Sequence, residues 1–195
     1  MDNNIIENIV KTAHHIYNKD MIIGKAGNIS IIDKKREYIY ITASGTDFKS
    51  LKYSDIIKVK LDDLSYVSND EKVPSMETSL HIGVYINRND VNSVVHVHSP
   101  YATAFAFSNK RLRQQEGFGE ITGEYIAEVE YYTPGSKKLA LHTSNALKEE
   151  DAVLLKNHGV ITVGKDIDEA TLLCEYIEGI AKTQYSFSDD LTKLG

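Results

Sequence analysis

Ile5, Ile9, Ala13 and Ile16, joined by Thr12 and Tyr17, recur at helical spacing, so the chain opens with an amphipathic helix ending near Lys19-Asp20. From Ile22 the period shortens. Gly24 and Gly27 precede a strand that runs to Ile32, Asp33-Lys34-Lys35-Arg36 makes a turn, and alternation from Tyr38 to Thr42 supplies the partner strand of a hairpin. A small-residue turn, Ala43-Ser44-Gly45-Thr46-Asp47, leads to a third strand over residues 56–61 and a polar hairpin from Ser65 to Glu71. Pro74, Ser75 and Glu77 introduce a helix whose apolar residues include Leu80, Val84 and Ile86, closed by Asn89-Asp90. A Val-rich strand around residues 94–98 follows. Ser99-Pro100 then starts a helix, with Pro in the first turn as its fixed φ allows.

The second half is less regular. Between residues 109 and 130, Gly117, Gly119 and Gly123 interleave with acidic side chains, and Glu128 to Tyr132 reads as a strand. Pro134-Gly135-Ser136 introduces a helix to about Lys148, and Ala152–Leu155 and Val160–Val163 are short strands flanking His158. Asp166 or Asp168 caps a final helix in which Ala170, Leu173, Ile177 and Ile180 share a face. Short turns join several neighbouring strands, which makes antiparallel pairs. The expected α/β architecture is a mixed sheet with helices on both faces, in one domain over residues 1–195, without repeats or linkers.

Composition narrows the function classes. The 195 residues, 42% of them hydrophobic, suffice for a sizeable core. The net charge of −6 is acidic, and the longest basic run, Lys34-Lys35-Arg36, reads as a solvated turn, so nucleic acid is not an expected partner. Cys174 is the one cysteine and cannot form an internal disulfide, which fits a reducing compartment. The polar N-terminus is unlike a signal peptide and no apolar run has the length of a membrane span, so a cytoplasmic protein without membrane contact is expected.

Chemistry concentrates in the histidines. Of seven, His14, His15 and His142 have the ordinary reading of surface or hydrogen-bonded residues. His96 and His98 differ, because residues i and i+2 of a strand point to the same face. His158 ends a second apolar run roughly sixty residues later, ahead of Gly159, which can turn the backbone. Three imidazoles converging from two strand ends suit a divalent metal such as zinc. Glu77 is either a favourable charge at a helix start or a carboxylate beside that metal, as ligand or acid/base. His81, four residues on, is placed to hold that carboxylate on one helical face. The turns around Gly27-Asn28, Ser44-Gly45 and Ser75 expose backbone N–H groups and short polar side chains, which together suit a phosphate.

In order, Ala26-Gly27-Asn28-Ile29-Ser30, Thr42-Ala43-Ser44-Gly45, Pro74-Ser75-Met76-Glu77, His96-Val97-His98-Ser99-Pro100-Tyr101 and Asn157-His158-Gly159 resemble the class II sugar-phosphate aldolase and epimerase family, which also includes the adducin head domain. The similarity runs from about Ile5 to Ile180. It implies a three-layer α/β/α fold with a largely antiparallel central sheet, and a C4 homotetramer with active sites between subunits. It further implies zinc, or manganese or cobalt, on His96, His98 and His158, with Glu77 as fourth ligand or acid/base. Gly27, Asn28, Ser44, Gly45 and Ser75 would take the phosphate of a small sugar-phosphate substrate. Glu77 points to an aldolase cleaving a ketose 1-phosphate such as L-fuculose 1-phosphate, since the epimerase has Asp there. The other readings are a pentulose-phosphate epimerase, methylthioribulose-1-phosphate dehydratase, a 5-deoxypentulose-phosphate aldolase, and a non-catalytic adducin-like module.

The chain departs from the family in three places. Met76 stands where the aldolase has a second Ser. The segment that gives the aldolase its proton-donating Tyr contains none before Tyr125; Tyr125, Tyr131 and Tyr132 are the candidates, with Glu116, Glu120 or Glu124 as acidic alternatives. The chain ends at Gly195, without the longer tail that carries further catalytic residues in relatives.

Overall fold

The computed structural model describes residues 2–68 and 71–188. The apolar runs become the strands β1 (Gly27–Ile32), β2 (Tyr38–Thr42), β3 (Ile56–Lys60), β4 (Tyr66–Val67), β5 (Ser93–Val97), β6 (Ala127–Val129), β7 (Ala152–Leu155) and β8 (Gly159–Gly164). They form one sheet in the order β4-β3-β2-β1-β5-β8-β7-β6. Only the β6–β7 pair is parallel, and every other neighbouring pair among the described strands is antiparallel. The helices are α1 (Asp2–Asn18), α2 (Thr78–Asn87), α3 (Pro100–Phe107), α4 (Lys137–Ala146) and α5 (Ile167–Ser188).

Period-two alternation gives the sheet two apolar faces. Ile29, Tyr40, Val95, Val97 and Val160 pack with Ile9 and Ile16 of α1, Phe105 of α3 and Cys174 and Ile177 of α5. Ile39, Ile41, Val94, Ile161 and Val163 pack with Leu80, Val84 and Tyr85 of α2 and Leu139 of α4. The result is the expected α/β/α sandwich. Each Val, Leu or Ile withdrawn from water contributes about 1.5–3 kcal/mol. Asp166 caps α5, its Oδ1 accepting the Glu169 N–H at 2.9 Å, whereas Asp168 lies inside the first turn.

Several local expectations change. Lys34 and Lys35 are exposed, but Arg36 is not part of a solvated turn. Its guanidinium donates to the carbonyls of Tyr85, Arg88 and Val91 and to Asn92 Oδ1 at 2.7–3.1 Å. The last carbonyls of α2 have no partner within their own helix, and a five-donor side chain satisfies them. Ile86 is exposed because Leu80, Val84 and Tyr85 occupy the sheet-facing stripe. The strand expected over residues 128–132 is Ala127–Val129, since Pro134 and the turn closed by Ser136 N–H to Thr133 O follow at once. In the Ser65–Glu71 hairpin, Tyr66–Val67 pairs with β3, while Asn69 and Asp70 lie outside the described residues. Among the described residues no helix is long and apolar enough to cross a membrane.

Candidate metal centre

The middle strands β1, β5 and β8 bring the histidines to one end of the sheet. His96 on β5 lies opposite Asn28 on β1 and Ile161 on β8. His98, just past the end of β5, returns to the same face. His158 sits on the tight turn between β7 and β8, where its N–H donates to Leu155 O at 3.0 Å. The sequence reading gives that turn to Gly159, but Asn157 takes the left-handed conformation, with φ 54°. Asn tolerates this region better than other side-chain-bearing residues. Gly159 is required for a different reason: a Cβ there would stand 2.6 Å from Val97 O and 2.8 Å from the His98 ring. Gly27 plays the same part on β1. Its φ is 150° and a Cβ would meet His96 O at 2.7 Å.

The ligand atoms of His96, His98 and His158 all lie within 4.8 Å of one another. His96 Nδ1 donates to Val160 O at 2.9 Å, which leaves the lone pair on Nε2. That Nε2 lies 3.2 Å from His98 Nε2 and 3.2 Å from Glu77 Oε2, and His158 Nε2 is 3.6 Å from Glu77 Oε1. Burial, reinforced by the neighbouring His96 charge, pushes His98 down to about 3 and His158 to about 4. Both rings are therefore neutral at physiological pH, with lone pairs to offer. For Glu77, burial works to raise the pKa, but His96, His158 and the Asn28 amide outweigh it and hold the carboxyl below its ordinary value.

Glu77 Oε1 is buried without a hydrogen-bond partner. Leaving such an atom unsatisfied costs about 1–3 kcal/mol, more when charged. Imidazole lone pairs 3.2 Å apart also repel unless a proton or cation lies between them. A divalent ion held by the three imidazoles and the carboxylate removes both penalties, and this N₃O donor set suits zinc and accepts manganese or cobalt.

Glu77 occupies the N-cap position of α2, where its N–H donates to Ser75 Oγ at 3.2 Å. Its Oε2 accepts the Asn28 amide at 2.9 Å, and Asn28 Oδ1 accepts His81 Nε2 at 2.5 Å. His81 thus reaches the carboxylate through Asn28 and not directly, because Glu77 precedes the first turn of α2.

Beside Glu77, His98 and His158 opens a cavity of about 850 Å³, also lined by Gly27, Asn28, Ser44, Gly45 and Ser75. Strand-like bonds hold these turns in place, Ser44 N–H to Val73 O at 2.9 Å and Ser75 N–H to Thr42 O at 3.2 Å. The sequence reading missed Lys25, the only Lys or Arg among the described residues lining the cavity. Its position in a loop bounded by Gly24 and Gly27 was the available signal. Ile23, Met76 and Phe107, each more than 60% exposed, rim the opening. Tyr125, Tyr131, Tyr132, Glu116, Glu120 and Glu124 do not line it. Tyr125 lies under the Arg111 guanidinium and Tyr132 stacks on His142. His14 and His15 bond to Leu51 O and Glu175.

The model of the class II aldolase and adducin N-terminal domain matches residues 7–185. An L-fuculose phosphate aldolase of Methanococcus maripaludis (strain C7) is 38% identical over 178 residues, covering 91% of this chain and 94% of the relative. A 5-deoxy-D-ribulose 1-phosphate aldolase of Bacillus thuringiensis serovar kurstaki is 32% identical over 179 residues, covering 92% and 83%. The solved structure of an L-fuculose 1-phosphate aldolase superposes with a TM-score of 0.87 at 29% identity, covering 96% of this chain and 87% of the other. On sequence and fold alike, the chain belongs to the class II aldolase and adducin family.

Proposed function

We propose that the protein is a cytoplasmic, metal-dependent aldolase that reversibly cleaves a ketose 1-phosphate to dihydroxyacetone phosphate and a small aldehyde. The observation that carries this reading is a buried carboxylate with one oxygen lacking a hydrogen-bond partner, facing three clustered imidazoles at the floor of a cavity lined by polar turns. A divalent cation on His96, His98 and His158 would supply an electron sink for the charge left when the carbon–carbon bond breaks. In the synthetic direction Glu77 Oε1 takes the proton from the carbon that attacks the aldehyde; in cleavage the carboxyl, first protonated from solvent, returns a proton to that carbon. The proton on the departing alcohol passes to a group outside the residues lining the cavity.

The turns at Gly27-Asn28, Ser44-Gly45 and Ser75, with Lys25 beside them, anchor the phosphate at the far end and align the scissile bond. Such positioning accounts for several kcal/mol of barrier. The apolar rim of Ile23, Met76 and Phe107 supports a homotetramer in which a neighbouring copy covers the opening and supplies the missing proton donor.

A coupled assay for dihydroxyacetone phosphate tests the assignment, with L-fuculose 1-phosphate and 5-deoxy-D-ribulose 1-phosphate, the substrates named for the relatives, offered in parallel. Metal-dependent release from at least one is expected. No release from any of several ketose 1-phosphates, alongside interconversion of pentulose 5-phosphates, would replace the aldolase with an epimerase. A purified protein without stoichiometric divalent metal would favour a binding module.

A further inference from the structure

We propose that His81, Ser30 and Tyr85 form a buried positioning relay that acts through Asn28 to orient the Glu77 carboxylate and leave its Oε1 free. The inference rests on the reading of Glu77 as the proton-transferring group, but concerns residues that do not line the cavity. All three are essentially inaccessible to solvent.

The chain of hydrogen bonds has one consistent direction. Asn28 Nδ2 can only donate, so at 2.9 Å from Glu77 Oε2 it fixes that contact as N–H to carboxylate. Asn28 Oδ1 can only accept, so His81 Nε2 carries the proton between them. His81 Nδ1 is then an acceptor, and Ser30 Oγ, 2.7 Å away, donates to it. The Ser30 hydroxyl has spent its hydrogen, so the single Tyr85 O–H hydrogen is shared between Ser30 O at 3.0 Å and Ser30 Oγ at 2.7 Å. From Ser30 through His81 and Asn28, each donor points toward Glu77. The order cannot be reversed without setting Asn28 Oδ1 against the carboxylate.

A core position between α2 and the sheet would ordinarily take an apolar side chain, since a polar network stabilises only when every member is satisfied. Here every member is satisfied, and the chain ends on a carboxylate oxygen. Asn28 is therefore oriented by His81 and occupied by Glu77. Its contribution to any phosphate comes from what remains of its surface on the cavity wall.

Two measurements on the full chain test the relay. In ¹⁵N-labelled protein, metal-free and zinc-loaded, long-range ¹H–¹⁵N spectra should show His81 as the neutral Nε2–H tautomer, with slowly exchanging Asn28 side-chain amide protons. His81→Gln, whose amide can still donate to Asn28 Oδ1, should keep the slowly exchanging Asn28 amide protons and most of kcat. His81→Leu should release the Asn28 amide and lower kcat by about 10- to 100-fold, with KM and metal content little changed. An Nδ1–H tautomer, or equal losses in the Gln and Leu variants while both keep metal, would overturn the relay. The expected tautomer and amide signals in a protein without aldol activity would support the relay and overturn the aldolase reading.

Discussion

Gly159→Ala tests the packing that holds the candidate metal centre, without replacing a ligand or changing a charge. The added methyl would stand 2.6 Å from Val97 O, 2.8 Å from His98 Cδ2 and 3.4 Å from His96 Cε1. Ordinary contact begins at 3.4 Å, so the first two gaps must each widen by more than half an ångström. Val97 is the last residue of β5 and Gly159 the first of β8, so the opening falls between the strands that present His96, His98 and His158. No positive φ is involved at Gly159, and the effect is one of space alone. Overpacking of this kind costs about 1–3 kcal/mol, and displaced ligand support weakens metal binding about 10- to 100-fold. Urea unfolding of the metal-free variant gives the first quantity, and competition with a chromophoric chelator the second. Metal-free stability within about 0.5 kcal/mol of wild type, a typical neutral surface effect, with unchanged metal affinity, would refute the argument.

Other outcomes follow from the same geometry. His96→Ala should lose metal and activity together, whereas Glu77→Gln should retain metal by elemental analysis and lose about 10²–10⁴ in kcat; equal, mild effects would contradict the assigned roles. Lys25→Met should raise KM for a ketose 1-phosphate about tenfold, equivalent to about 1.4 kcal/mol, with kcat little altered; unchanged KM would remove Lys25 from the phosphate end. Complete burial lowers His81 from 6.5 to about 3, so the folded state binds fewer protons than the unfolded one. The stability this contributes is fully present above pH 6.5 and is lost as pH falls toward 3. Between pH 6.5 and 4.5 the loss is about 2 kcal/mol, and metal-free protein equally stable to urea at both pH values would sink that account.

Much of the architecture was legible because burial leaves a periodic trace. The alternation in residues 38–42 and the helical spacing from Ile5 to Ile16 report which side chains leave water. The pairing of His96 with His98 is legible for the same reason, whereas the convergence of His158 depends on sheet order, which no local pattern encodes. Residues 109–126 show no period because the segment buries only isolated apolar residues, Leu112, Ile126 and in part Phe118, and is otherwise held by scattered bonds such as Ile126 N–H to Leu112 O and Thr122 N–H to Gln114 Oε1. Arg36 and Asn28 were misread or half-read because their partners are distant in sequence. A polar side chain shows its type in the sequence, but its hydrogen-bond partner only in three dimensions.

The register of β1 against β5 sets Asn28 directly across from His96. A slip of one residue would bring Gly27 or Ile29 to that place and turn the Asn28 amide toward the opposite helical layer. Circular dichroism would scarcely notice, because the count of paired strands is unchanged, yet Glu77 would lose its hydrogen bond. Length changes in the distant β3–β4 connection leave this alignment alone, whereas a single insertion within β1 would carry Asn28 away from Glu77.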